Sequence, residues 1–172
     1  MNGRLVAYLE RHRRIGIDTS LFVYQIEDHP AYAPVSDALF RWVATGRSVG
    51  VTSTLTIAEV LTLPYRQGRS GVADRIFSLL IQMANIEWLS PSIGIADRAA
   101  RARAVYRLRT VDALQLATAL TAGATGLITN DKHFRRITLL TDRISADSQS
   151  FFQQHGFQFS KMIPMRLVFN EN

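Results

Sequence analysis

Cysteine is absent from this chain, which excludes a disulfide framework, a thiolate zinc site and a cysteine nucleophile. No apolar run approaches the ~18 residues that a membrane-spanning helix needs. The first fourteen residues lack the long apolar stretch and small-residue cleavage site of a secretory signal, so the expected compartment is the cytoplasm, with no membrane partner. Lysine is scarce as well: of 20 basic residues only Lys132 and Lys161 are Lys, and the rest are Arg. The histidines, His12, His29, His133 and His155, show no zinc-ligand spacing. Without a Gly-x-Gly-x-x-Gly or Walker A loop there is no phosphate cradle for a nucleotide cofactor. Without a Gly-x-Ser-x-Gly elbow there is no serine-hydrolase nucleophile.

What is present is a chain of 172 residues, 47% hydrophobic. That is enough for one domain with a sizeable core and too apolar for disorder. The formal net charge is +6. Guanidinium groups grip phosphates bidentately and stack on bases, so an Arg-rich excess suits nucleic acid. Arg-biased codon usage would give the same excess.

The pattern alternates short apolar runs with longer helical stretches. Arg4 to Arg14 reads as an amphipathic helix with Leu5, Tyr8 and Leu9 on one side, and Ile15 to Asp18 as a short strand. Thr19 or Ser20 caps a helix through Ile26, which His29-Pro30 breaks. Val35, Leu39, Trp42 and Val43 mark the next helix, closed by Gly46. Ser48 to Thr52 reads as a second strand, followed by a helix that starts at Ser53 or Thr54 and ends at Pro64. Arg69 to Asn85 is helical, with Val72, Ile76, Leu79, Leu80 and Met83 as its buried stripe. Ile86 to Leu89 is a third strand and Ile95 to Arg107 an Ala-rich helix. Thr110 caps a helix with Ala113, Leu116, Ala117 and Leu120 inward, and Gly123 ends it. Thr125 to Thr129 and Ile137 to Leu140 complete five strands, and residues 156–159 and 165–169 are candidate edge strands. Strands alternating with helices imply a parallel sheet covered on both faces, whose ligands bind beyond the carboxyl ends of the strands.

Four acids stand near the ends of these elements: Asp18, Glu59, Asp112 and Asp131. Each has an ordinary explanation alone. Asp18 can cap the helix after it, and Asp112 can complement a helix dipole. Asp131 can form an Asx turn, and Glu59 can be a solvated helix residue. The strand ends place Asp18, Glu59 and Asp131 at the carboxyl edge. The start of a helix feeding a strand leaves Asp112 at either edge. Carboxylates gathered at one edge would repel one another, raise at least one pKa and attract a cation. Hard divalent ions take such oxygen ligands and activate water for phosphodiester hydrolysis.

The blocks Ile17-Asp18-Thr19-Ser20, Ser53 to Val60, Val111 to Ala119 and Ile128 to Phe134 resemble, in order, the four motifs of the PIN-domain family. Within it they look like the small VapC-type toxin ribonucleases. The third block is the most specific, and the resemblance covers about residues 15–140. It implies an α/β fold: three layers, α/β/α, around a central parallel sheet of about five strands, forming a single domain. Residues 1–14 and 142–172 would be terminal extensions, available to enlarge a dimer or antitoxin surface. It also implies a Mg²⁺- or Mn²⁺-dependent endoribonuclease acting on RNA, with a small antitoxin partner and a homodimer. Asp18, Glu59 and Asp112 match the family's three regular acids and Asp131 its variable fourth. Asp18 and Asp112 would touch metal, Glu59 would orient or ligate through a water, and Asp131 would complete a second site. Thr19 and Thr129 match supporting hydroxyl positions, and His133 stands where some relatives carry another acid. Arg109 is the best candidate for substrate contact. Arg98, Arg101, Arg103 and Arg107 form no single stripe and read as a solvated surface, or as one pair touching RNA phosphates. A solitary PIN ribonuclease in RNA processing and a catalytically weak RNA-binding module are the alternative readings.

Overall fold

The structure is a computed structural model that describes residues 3–131 and Phe134. In chain order its helices are α1 (Gly3–Leu9), α2 (Thr19–Ile26), α3 (Ala33–Ala44), α4 (Leu55–Arg66), α5 (Ser70–Ile81), α6 (Ile93–Tyr106) and α7 (Thr110–Thr121). The strands are β1 (Arg14–Ile17), β2 (Val49–Ser53), β3 (Ile86–Leu89) and β4 (Gly126–Ile128). All pair in parallel, in the order β3-β2-β1-β4. Among the described residues the sheet therefore has four strands. The expected fifth, Ile137 to Leu140, lies outside them, as do residues 142–172 and His133.

Side-chain alternation along β1 assigns the two faces. Ile15 and Ile17 point into a core built with α1 to α5, joined by Phe22, Leu39, Val43 and Leu61. Each such apolar side chain, moved fully out of water, contributes roughly 1.5–3 kcal/mol. Gly16, between them, points to the other face. There a Cβ would lie 2.7 Å from Ala119 Cβ and 2.8 Å from Leu127 Cδ1, so α7 rests directly on the strand. Leu116, Ala117 and Leu127 continue this second core with Ile95 and Ala99 of α6. Helices on both faces of a parallel sheet make the three layers expected. No helix among the described residues is long and apolar enough to cross a membrane.

Several local expectations change. The first helix stops at Leu9 rather than continuing to Arg14, because the chain turns through residues 10–12 and Arg14 is already paired with Val49. This segment is built into the core: Leu5, Tyr8 and Leu9 are buried, and His12 Nδ1 lies 2.9 Å from Thr125 Oγ1. Pro64 does not end α4, which runs on to Arg66. The ring holds φ near the helical value, so the lost N–H bond and the crowding of the carbonyl one turn back weaken the last turn without ending it. On α5 the buried positions are Ala73 and Leu80, whereas Leu79 is 67% exposed. The helix packs mainly along α4, so the turn of its stripe that carries Leu79 meets solvent.

Candidate active site at the carboxyl edge

The strand order reverses between β1 and β4, which leaves a crevice beyond their carboxyl ends. Asp18 follows β1 there and Thr129 follows β4. The ladder continues one step past the strands, with Asp18 N–H donating to Ile128 O at 3.0 Å. Asp18 is also the N-cap of α2, in place of Thr19 or Ser20. Its Oδ2 accepts from Ser20 Oγ at 2.7 Å, Thr129 Oγ1 at 3.1 Å and, more weakly, Ser20 N–H at 3.4 Å. The ordinary and the functional readings of this residue therefore coexist: a cap needs only an acceptor, and this acceptor is buried. Burial pushes the Asp18 carboxyl above its ordinary value of 3.8, opposed by the hydroxyl and amide donors.

Glu59 stands on the second turn of α4 and keeps solvent access. The hydroxyl of Thr19, next to Asp18, donates to Glu59 Oε2 at 2.5 Å. The protein around Glu59 still removes hydration from its charge and raises its carboxyl above the ordinary 4.5, with the Asp18 charge adding to the rise. This is the mutual repulsion expected of neighbouring carboxylates. Asp131 is tied to the same cluster through its backbone, since its N–H donates to Thr129 Oγ1 at 3.0 Å. One hydroxyl thus links the loop after β4 to the Asp18 carboxylate. The adjacent Asn130 donates to Tyr24 Oη at 2.7 Å, pinning that loop to α2.

Asp112 is placed by the direction of α7. Gln115 reaches Ser53 N–H at the carboxyl end of β2, Ala119 lies over Gly16 in mid-strand, and the Ala122 carbonyl meets Arg14 Nε at 2.6 Å at the amino end. The helix therefore runs against the strands and begins at the carboxyl edge. Asp112 occupies its first turn, one turn before Gln115 and on the same end of the sheet as the other acids, with Oδ2 buried. The signal for this was in the sequence: only residues 122–125 separate α7 from β4. A helix so closely followed by a parallel strand must end at the amino edge. Thr110 is the first helical residue rather than the cap, a position held by the exposed Arg109.

Among the described residues, no group of three or more His, Asp or Glu side chains is placed to hold a metal ion. The Asp18 charge adds to the rise of the Glu59 carboxyl, so these two carboxylates stand within electrostatic reach of one another. That pair fits a small hard cation in its donor chemistry: two carboxylates whose charge is opposed by burial, with hydroxyls rather than ammonium groups for partners. Mg²⁺ keeps several waters and is commonly held through one or two carboxylates, so a closed cage is not required.

A second set of residues was not foreseen. Buried Gln115, Thr52 and Thr56 join Thr19 in one hydrogen-bonded cluster. The sequence signal was a glutamine interrupting the apolar stripe of α7, and threonines four apart across the β2–α4 junction. Of the arginines of α6, Arg101 pairs with Asp97 at 2.9 Å, and Arg103 Nε reaches Leu108 O at 3.3 Å.

The fold and this edge define an α/β protein whose acidic crevice opens between β1 and β4. The chain belongs to the PIN domain family, whose model matches residues 15–140. Three solved structures share its fold. A toxin–antitoxin complex from Klebsiella pneumoniae is 24% identical, with a TM-score of 0.55 over 70% of this chain and 89% of that one. VapBC2 from Rickettsia felis, bound to a DNA fragment from its promoter, is 18% identical, with a TM-score of 0.58 over 72% and 92%. VapC20 of Mycobacterium tuberculosis, a toxin that cleaves the sarcin–ricin loop, is 17% identical, with a TM-score of 0.57 over 72% and 93%. At these identities the likeness is one of fold. No curated protein matches the chain by sequence.

Proposed function

We propose that this PIN domain is a divalent-metal-dependent endoribonuclease that hydrolyses RNA phosphodiester bonds, and that it is the toxin of a toxin–antitoxin pair. The observation that carries the proposal is the buried Asp18 carboxylate at the β1/β4 crevice, coupled to Glu59 and held by hydroxyl and amide donors. A carboxylate kept dry beside another is costly to the fold, and a cation bound there offsets that cost.

In this reading Asp18 and Asp112 hold Mg²⁺ or Mn²⁺, Glu59 orients a water or ligates through one, and Asp131 completes a second position. The bound ion would supply an activated water and neutralise charge on the phosphate. The chain's own residues do the positioning. Ser20 and Thr129 fix the Asp18 oxygen, Thr19 fixes Glu59, and Thr129 sets the loop that carries Asp131. Arg109, exposed at the start of α7, stands on the same edge to meet an RNA phosphate. A small antitoxin, a homodimer and action in the cytoplasm belong to the same proposal. Support comes from the Klebsiella pneumoniae toxin–antitoxin complex and from VapC20, a sarcin–ricin loop cleaving toxin of the same fold.

The test incubates the purified protein with structured and unstructured RNA in Mn²⁺, Mg²⁺ or EDTA. Cutting with metal that stops in EDTA is the expected result. RNA binding without metal-dependent cutting of any substrate would overturn the enzyme reading in favour of a binding module. A small reading frame directly upstream supports the toxin over a solitary processing nuclease.

A further inference from the structure

The hydroxyl that holds Glu59 is itself held, and proton counting shows how. Backbone N–H of Ser53 can only donate, and it meets Gln115 Oε1 at 3.1 Å. That fixes the orientation of the Gln115 amide and turns Nε2 toward Thr19 Oγ1 at 3.0 Å and Thr56 Oγ1 at 2.7 Å. Both hydroxyls must accept from it, because an amide NH₂ has no lone pair to offer. Thr19 has one proton, and an ionised Glu59 can only accept it. Thr19 must then accept in its 3.0 Å contact with Thr56, which leaves Thr56 to accept in its 2.8 Å contact with Thr52. With Glu59 charged, one direction satisfies every contact: Thr52 to Thr56 to Thr19 to Glu59.

We propose that Gln115 is a positioning residue for the acidic edge: by donating to both Thr19 and Thr56, it fixes where the two hydroxyls stand, so that the Thr19 proton meets the ionised Glu59 and steadies that carboxylate. Without the amide, the Thr19 hydroxyl loses that anchor and can turn its proton toward Thr56, and the Thr19–Glu59 bond is lost for part of the time. The effect on turnover rests on the nuclease reading above; the hydrogen-bond polarity does not. Gln115 lies three residues beyond Asp112 on α7, so the helix that brings one acid to the edge also carries the amide that orders another.

The test has two arms. In the first, Gln115→Met, Thr19→Val and the double variant are compared for kcat, KM, Mn²⁺ affinity by calorimetry and thermal midpoint. Losing a group that orients a ligand typically costs about 10–100-fold in activity or metal affinity. That loss is expected in kcat or Mn²⁺ affinity for Gln115→Met, with KM little changed and almost no further loss once Thr19 is already Val. Thr19→Ser, which restores the hydroxyl, should recover the activity lost in Thr19→Val. Additive losses in the double variant would show that Gln115 acts independently of Thr19 and overturn the proposal. The second arm needs no Gln115 variant and no catalysis. In metal-free ¹⁵N-labelled protein, the Gln115 side-chain amide resonances should shift in Glu59→Gln, and this shift should vanish on a Thr19→Val background. Resonances indifferent to Glu59→Gln would overturn it too. A wild-type protein that cuts no RNA sinks the nuclease reading while leaving the amide result standing.

Discussion

The two edges of one small sheet solve the same problem in opposite ways. At the amino edge, polar groups are closed against backbone carbonyls or opposite charge. Arg14 bonds the Ala122 carbonyl and both oxygens of Glu87. Ser48 Oγ donates to His12 O at 2.8 Å and accepts from Trp42 Nε1 at 3.0 Å. At the carboxyl edge, Asp18 and Glu59 are served by hydroxyls and amides, and each carries a raised pKa. Burying polar groups with partners is close to neutral for stability, whereas crowding carboxylates without a cation is unfavourable. The amino edge therefore reads as structure, and the carboxyl edge as a place where the fold tolerates strain for chemistry.

The largest expected effect separates the edges outright. Asp18→Asn keeps an acceptor at the α2 cap, since Asn caps about as well as Asp. It removes the charge that would hold a cation. Loss of metal-centred stabilisation is worth several kcal/mol, so cleavage should fall by on the order of 10³-fold or more. The thermal midpoint of the metal-free protein should stay level or rise. Wild-type cutting rates in Asp18→Asn would end the assignment of this carboxylate.

Gly16→Ala attacks the one element that serves both edges. The new Cβ would meet Ala119 Cβ at 2.7 Å, and a helix methyl has no rotamer in which to retreat. Overpacking of this kind costs about 1–3 kcal/mol. Because α7 carries Asp112 and Gln115 at one end and the Ala122 carbonyl at the other, its displacement should weaken both edges together. Urea unfolding and cleavage assays should therefore move in parallel, unlike in Asp18→Asn. Unchanged stability would mean that α7 does not rest on β1.

How far this was legible in the sequence depended on what kind of contact each residue makes. Strands such as Ile15 to Ile17 and Val49 to Ser53 announce themselves as apolar runs because both sheet faces are covered. Asp18, Thr19 and Glu59 were legible through family motifs and strand-end logic. For Asp112 the strand-end logic leaves either edge open and only the family resemblance brings it to the other acids, although the short link after α7 determines it. Gln115 was passed over because its partners, Ser53, Thr19 and Thr56, are brought to it by three separate elements. Leu79 was placed inward because periodicity gives a helix's apolar face but not how wide a strip its neighbour covers.

A smaller effect follows from the raised carboxyls. Between the ordinary value of 3.8 and its higher folded value, folded Asp18 holds a proton that the unfolded chain has released. Its contribution to stability is fully present below 3.8 and is lost as pH rises through the folded value. Glu59 behaves likewise above its ordinary 4.5. In chelator, Asp18→Asn should remove the destabilisation that wild type acquires on going from acid to neutral pH. Denaturant midpoints of the two proteins should converge toward pH 4 and separate toward pH 7, with the variant higher. Curves that separate in the opposite sense would show that the carboxylate is stabilised by its surroundings, and with it would go the reason for a cation.

The smallest effect is the control at the other edge. Glu87→Gln removes the charge facing Arg14 but leaves the guanidinium its bond to the Ala122 carbonyl. The pair is partly open to water on both sides, and pairs of this kind contribute about 0–1 kcal/mol. Melting should shift by about 4 °C at most, and RNA cleavage should match wild type at every metal concentration. A marked loss of cleavage would mean that the anchoring of α7 at its far end governs where Asp112 and Gln115 stand. The two edges would then be one mechanical unit rather than a closed end and a reactive end.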